Sequence, residues 1–176
     1  MSSTRALILG VLLDGPMHGY KVRQTLELWG AQYWANVAFG SIYHGLGQMA
    51  KEGLLRVVVS GKGGQTVYEI TDEGRQEFQR MLNDFWWDLK PIVDPFQVAL
   101  TFMDRMPKAD LLAALTARRG RLQAALLMSE RALAGKRAHG APRHIDETVF
   151  LAALQLRAQL EWLEQAIEKA EKGDLP

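Results

Sequence analysis

The chain has no cysteine among its 176 residues, which removes structural disulfides, thiolate zinc sites and thiol nucleophiles together. Nothing in it asks for an oxidising compartment, so a cytoplasmic location is expected. Net charge is nearly absent: 21 Lys and Arg face 20 Asp and Glu, a formal +1. Residues 1–72 are just as balanced, with six basic side chains against five acidic ones. A polyanion-binding surface therefore has to come from local clustering, because bulk charge supplies none. Long apolar runs are missing too. The run Ala6 to Leu13 ends at Asp14-Gly15-Pro16, far short of the roughly 20 residues that a membrane-spanning helix needs. It also lacks a small-residue cleavage site, so a soluble, unprocessed protein with no membrane contact is expected.

Missing motifs narrow the chemistry further. There is no HExxH, no GxSxG and no phosphate-binding P-loop, and the acidic residues Asp72, Glu73, Glu168 and Glu171 read as helix-face charges. His139 and His144 stand with Arg143 and Asp146 in a basic turn, without the ligand spacing of a metal site. Gly45-Leu46-Gly47-Gln48-Met49-Ala50 fits the dinucleotide pattern G-x-G-x-x-A, but that pattern needs a preceding strand and a βαβ unit. Here it falls inside a helical stretch. No enzyme, no metal and no cofactor are expected.

What is present is a 48% hydrophobic chain patterned mainly for helices, enough to bury a core. A helix over 4–13, started by Ser3 or Thr4, stops at Gly15-Pro16 because proline cannot continue the ladder. A second runs from His18 or Gly19 to Trp29, with Tyr20, Val22 and Leu26 facing inward and Lys21, Arg23 and Gln24 outward. After an aromatic connector, Trp29 to Trp34, Ser41 caps a third helix that reaches Lys51 or Glu52. Ile42, Leu46 and Met49 fall on one buried stripe at i, i+4, i+7, leaving Ser41, His44, Gly45, Gln48 and Lys51 outward and Tyr43 on the flank. Gly45 and Gly47 are costly inside a helix, about 1 kcal/mol each against Ala. Gly47 is the better candidate for tight packing and Gly45 for close approach to an outside partner.

Leu54 to Val59 and Val67 to Ile70 read as two strands joined by Ser60-Gly61-Lys62-Gly63-Gly64-Gln65-Thr66, whose glycines suit a hairpin tip. Thr71-Asp72-Glu73 caps the next helix, carried by Phe78, Met81, Leu82, Phe85 and Leu89 to Pro91. Asp94-Pro95-Phe96-Gln97 marks another start, with an end near Met106-Pro107. Two long helices follow, Lys108 to about Leu133 and, beyond a Gly/Pro-containing stretch, one that ends at Lys172. The last carries Val149, Ala153, Leu156, Leu160, Leu163, Ile167 and Ala170 at heptad spacing, and Leu112, Leu115, Leu122, Leu126 and Leu133 form a similar register before it. Such seams pair with each other or with a second copy.

The fold class is therefore mainly α with a small β-hairpin wing. A winged helix-turn-helix DNA-binding domain is expected over 1–90 and a helical dimerisation and effector domain over 91–176. A helix fits the major groove and a hairpin tip reaches phosphates, so Ser41, Tyr43, His44, Gln48, Lys51 and the tip residues Lys62, Gly63 and Gly64 are candidate DNA contacts, with Lys21 on the preceding helix. Gln48 is the best base reader because an amide bonds an adenine edge bidentately. Lys51, Tyr43 and Ser41 suit phosphates. Leu156, Leu160, Leu163 and Ile167 are the candidate dimerisation residues.

Taken together, Ile8-Leu9-Gly10-Val11-Leu12, Gly15-Pro16-Met17-His18-Gly19-Tyr20, Phe39-Gly40-Ser41-Ile42-Tyr43-His44-Gly45-Leu46, Lys51-Glu52-Gly53-Leu54-Leu55 and Tyr68-Glu69-Ile70-Thr71-Asp72-Glu73-Gly74 resemble the PadR family of bacterial transcriptional regulators. The resemblance covers residues 5–75, and the tail from Asp94 is similar to that family's C-terminal domain in size and helicity. It implies a homodimer that sets its third helices in the major grooves of a pseudo-palindromic double-stranded operator, usually as a repressor, with Tyr20 and the Tyr43 neighbourhood at the DNA face. It also implies a small aromatic or apolar effector, for which Trp29, Trp34, Phe85, Trp86 and Phe96 are candidate contacts, although aromatics at such spacing commonly serve a core. The competing reading, favoured by the near-zero charge, is a winged-helix module that docks a protein rather than DNA.

Overall fold

The computed structural model describes residues 2–60, 65–138 and 141–175, with 133–138 described by backbone alone. The chain divides into two compact units, Met1–Lys90 and Pro91–Pro176. No helix among the described residues is long and apolar enough to cross a membrane.

The first unit opens with α1, Ser3–Val11, which tightens into a 3-10 turn over Leu12–Asp14 before Pro16. Helix α2 spans Gly19–Trp29 and ends at Gly30, whose φ of 72° allows its N–H to turn back on the last carbonyls. The connector after it is not irregular: Ala31–Trp34 forms one further helical turn, α3, with Ala31 buried. Helix α4, Phe39–Lys51, begins three residues before the expected start. Ala38 is its N-cap, and Ser41, already inside the first turn, turns its Oγ to donate to the Ala38 carbonyl at 2.6 Å. Ser41 is therefore not the cap, because a side chain in the first turn meets carbonyls rather than the orphan N–H groups.

Among the described residues three strands make the sheet, not two. β1 (Met17–His18), β2 (Leu55–Val59) and β3 (Val67–Ile70) lie in the order β1-β3-β2, all antiparallel. Leu55 pairs with Ile70 and Val57 with Tyr68, and the register slips between Val57 and Val59. β1 is too short to show an alternating pattern, which is why only its pairing with Tyr68 and Val67 identifies it. Helix α5, Asp72–Trp87, is capped by Thr71, whose Oγ1 accepts from the Gly74 N–H at 3.1 Å. It stops short of Pro91, and of its expected apolar face only Met81 is buried and Phe78 half-buried, while Leu82, Phe85 and Leu89 are exposed. The core of this unit gathers Ile8, Leu9, Val11 and Leu12 from α1 and its turn, Val22 and Leu26 from α2, Ile42, Leu46 and Met49 from α4, and Leu55, Ile70 and Met81.

The second unit begins with α6, Phe96–Thr101, whose first N–H donates to Asp94 Oδ1 at 2.9 Å. A 3-10 turn over Met103–Arg105 leads to α7, Lys108–Ala138, and α8, Ile145–Lys172. These two long helices pack along each other, and their shared core is Leu111, Leu115, Leu163, Ala166, Ile167 and Ala170. Leu163 is fully buried and Ile167 nearly so within a single chain. That part of the α8 seam closes on α7, its neighbour in sequence. Leu156 and Leu160 are half-buried, and Phe150, Leu151 and Leu154 are the exposed apolar residues in that stretch.

Candidate nucleic-acid interface

The stripe Ile42, Leu46 and Met49 is fully buried, worth roughly 1.5–3 kcal/mol for each side chain removed from water. Burying that stripe fixes how α4 is rotated about its axis. Ser41, Tyr43, His44, Gln48 and Lys51 consequently stand exposed on its other side, as helical periodicity requires.

Gly45 and Gly47 exchange the roles expected of them. A Cβ on Gly45 would stand 2.9 Å from Ile8 Cδ1, whereas one on Gly47 would meet nothing within 4 Å. Gly45 is where α4 lies on α1, and Gly47 is the open position.

Helix α2 meets α4 at Gly19, where a Cβ would stand 3.2 Å from Leu46 Cδ1 and 3.5 Å from Tyr43 Cε1. That close crossing sets the start of α2 beside Tyr43. Tyr20 is not inward: Gly19, Val22 and Leu26 are the buried residues of α2, and Tyr20, one position off that stripe, is 58% exposed. Lys21 is exposed beside it, its Nζ donating to Gln24 Oε1 at 3.1 Å. Tyr20, Lys21 and the five exposed α4 residues are thus carried by one helix pair. The tip residues Lys62, Gly63 and Gly64 lie outside the described residues, as does His139.

Four charged residues, Arg5, Arg23, Glu27 and Glu52, support this face without having been singled out as site residues from sequence. Arg23 donates to Glu27 at 2.8 Å, and its guanidinium lies 5.1 Å from the centroid of the Phe39 ring at the start of α4. Gln48 Nε2 donates to Glu52 Oε1 at 2.9 Å, and Glu52 Oε2 accepts from Arg5 of α1 at 2.6 Å. The Arg5 hydrogen bond, joined by that from Gln48, holds the Glu52 carboxyl below the ordinary carboxylate range. The i,i+4 spacing of Gln48 and Glu52 was a visible signal; the Arg5 contact, 47 residues away, was not.

The candidate effector contacts fall in both units. Trp29 and Trp34 are half-buried against the core of the first unit, where Trp34 Nε1 donates to the Trp29 carbonyl at 3.1 Å. Phe85 and Trp86 are exposed on α5. In the second unit Phe96 meets Trp162 edge to face at 5.8 Å, and the Arg118 guanidinium sits 3.5 Å above its ring. Arg118 also donates to Gln159 at 3.1 Å and pairs with Asp94 at 3.5 Å.

Residues 8–80 match the family model described as the transcriptional regulator PadR-like family. No curated protein sequence is significantly similar to the chain. Among solved structures, a PadR-like transcriptional regulator from Bacillus cereus superposes with a TM-score of 0.76 at 21% identity, covering 97% of this chain and 99% of that one. PadR from Bacillus subtilis in complex with operator DNA gives 0.74 at 21% identity, over 97% and 98%. The same protein in complex with p-coumaric acid gives 0.73 at 19%, again over 97% and 98%. The fold, a winged helix with a long helical tail, is common to all three over nearly their whole length. Through its head domain, residues 8–80, this chain matches the transcriptional regulator PadR-like family, and over its length it has the fold of those solved regulators.

Proposed function

We propose that this regulator is a homodimer that sets α4 of each protomer in a major groove of a pseudo-palindromic operator, acts as a repressor, and is released by a small apolar or phenolic effector. The observation that carries the DNA reading is the polar face of α4: Ser41, Tyr43, His44, Gln48 and Lys51 are all exposed opposite a fully buried stripe. Those groups are a hydroxyl, a phenol, an imidazole, an amide and an ammonium, the donor and acceptor set that reads base edges and holds phosphates. The solved relative with operator DNA supports the same use of this fold. The relative with p-coumaric acid supports the effector class, and among the aromatic candidates Phe85 and Trp86 keep exposed ring surface for such a ligand. Exposed Phe150, Leu151 and Leu154 on α8, with half-buried Leu156 and Leu160, are the apolar surface for a second copy.

Enrichment of bound fragments from a random DNA pool tests the class and returns the half-site spacing. A palindromic consensus is expected, with binding that falls steeply as salt rises. Lys51→Ala should weaken binding at all sequences and lower the salt slope by about 1, whereas Gln48→Ala should relax preference at one position of each half-site. Recovery of no DNA at moderate salt, together with a stable protein partner in pull-downs, would leave the protein-docking module as the function.

A further inference from the structure

Glu52, the C-cap residue of α4, is an exposed acid beside the face that carries His44, Gln48 and Lys51, and a carboxylate there repels phosphates. Its two oxygens are each engaged, Oε1 by Gln48 Nε2 at 2.9 Å and Oε2 by Arg5 at 2.6 Å. The consequence for Gln48 is directional. A carboxylate only accepts hydrogen bonds, so it holds the amide with nitrogen toward Glu52 and rejects the flipped rotamer, which would set two oxygens against each other. Gln48 is then left with one N–H and its carbonyl oxygen free, and those are the two groups that the N7 and N6 edge of an adenine requires. Arg5 belongs to α1, so the orientation of the amide is referred to the core of the unit rather than to a solvated side chain.

We infer that Glu52, tethered by Arg5, is a positioning residue that sets the base preference of Gln48 at one position of each half-site. This rests on the reading of α4 as the groove-facing helix. A plain structural role, in which Arg5 and Glu52 merely tie α1 to the end of α4, moves stability but not base preference.

The test is selection from a random DNA pool by the full-length wild type and by Gln48→Ala, Glu52→Gln and Arg5→Gln, with thermal melting of each. Glu52→Gln keeps the size of the side chain but lets it donate as well as accept, so the Gln48 amide is free to flip. Gln48→Ala should lose about tenfold or more of the preference at one position. Glu52→Gln should lose about three- to tenfold at that same position, keep the remaining consensus, and bind all sequences more tightly because a negative charge is gone. Arg5→Gln should give a smaller loss at the same place. A Glu52→Gln consensus equal to that of the wild type at the Gln48 position overturns the inference while leaving the DNA reading intact. So does a Gln48→Ala consensus unchanged everywhere. A wild-type pool with no enriched sequence overturns the DNA reading itself.

Discussion

Ile8 Cδ1 of α1 lies 2.9 Å from the place where a Cβ on Gly45 of α4 would stand. Ile8 is fully buried, so its methyl has little room to retreat, and the two helices touch through a missing side chain. Gly47, one half-turn on, has open space around the same site. Gly47→Ala should therefore stabilise the head by about 1 kcal/mol through helix propensity alone. At Gly45→Ala the same gain is opposed by overpacking that costs typically about 1–3 kcal/mol. Urea midpoints of the two variants should differ, Gly47→Ala above the wild type and Gly45→Ala at or below it; equal stabilisation of both would remove the role given to Gly45.

Thr71 performs two tasks with one hydroxyl. Its Oγ1 accepts from the Gly74 N–H at 3.1 Å and donates to the Gly53 carbonyl at 2.7 Å, joining the cap of α5 to the turn where Gly53, at φ 79°, ends α4. Thr71→Ala should cost about 1–2 kcal/mol, and Thr71→Ser should recover most of it. Nearby, Gly74→Ala should be worse than either, because its Cβ would stand 2.1 Å from the backbone oxygen of Leu54, a contact only backbone movement relieves. Chemical denaturation ranks the three variants directly.

Acid should weaken the fold through its paired glutamates. The Arg5 hydrogen bond holds Glu52 below its ordinary carboxylate range, and the Arg80 hydrogen bonds, both 2.8 Å, do the same to Glu77. A carboxyl depressed on folding contributes stability that is complete above its unfolded value and lost as pH falls through its folded one. Urea midpoints should thus be flat from about pH 7 to about pH 5 and drop below that. Glu77→Gln and Glu52→Gln should each shallow the drop, and an unchanged pH profile in both variants would mean that other carboxylates govern it.

Leu163→Ala should destabilise the helical tail by about 2–5 kcal/mol, since its side chain is fully buried between α7 and α8. Leu154→Ser, at an exposed position of the same helix, should destabilise the tail far less, and only as far as it weakens self-association. Sedimentation separates this from self-association: the dimer constant should respond to Leu154→Ser and not to a tail-neutral substitution at exposed Glu164.

The α8 seam shows how far a pattern reaches. Its heptad spacing identified a long helix with one apolar side, and both were found, yet spacing is indifferent to which helix fills the groove. Burial of Leu163 and Ile167 against Leu111 and Leu115 assigns that half of the seam to α7 within the same chain. Gly45 failed for a related reason, since the neighbour that decides its exposure is a different element, whereas Tyr20 failed on its own helix, because it lies off the i, i+3, i+7 stripe of Gly19, Val22 and Leu26.

What the sequence by itself determined is the order of elements, the buried stripe of α4 and hence the polar residues left on its other side, because these depend on helical period, caps and breakers that act within a few residues. Tertiary structure alone decided the third strand β1, the packing of Gly45 on Ile8, and the Arg5–Glu52 pair. Those contacts join residues dozens of positions apart, and their energies come from shape and hydrogen-bond direction, which no local spacing encodes.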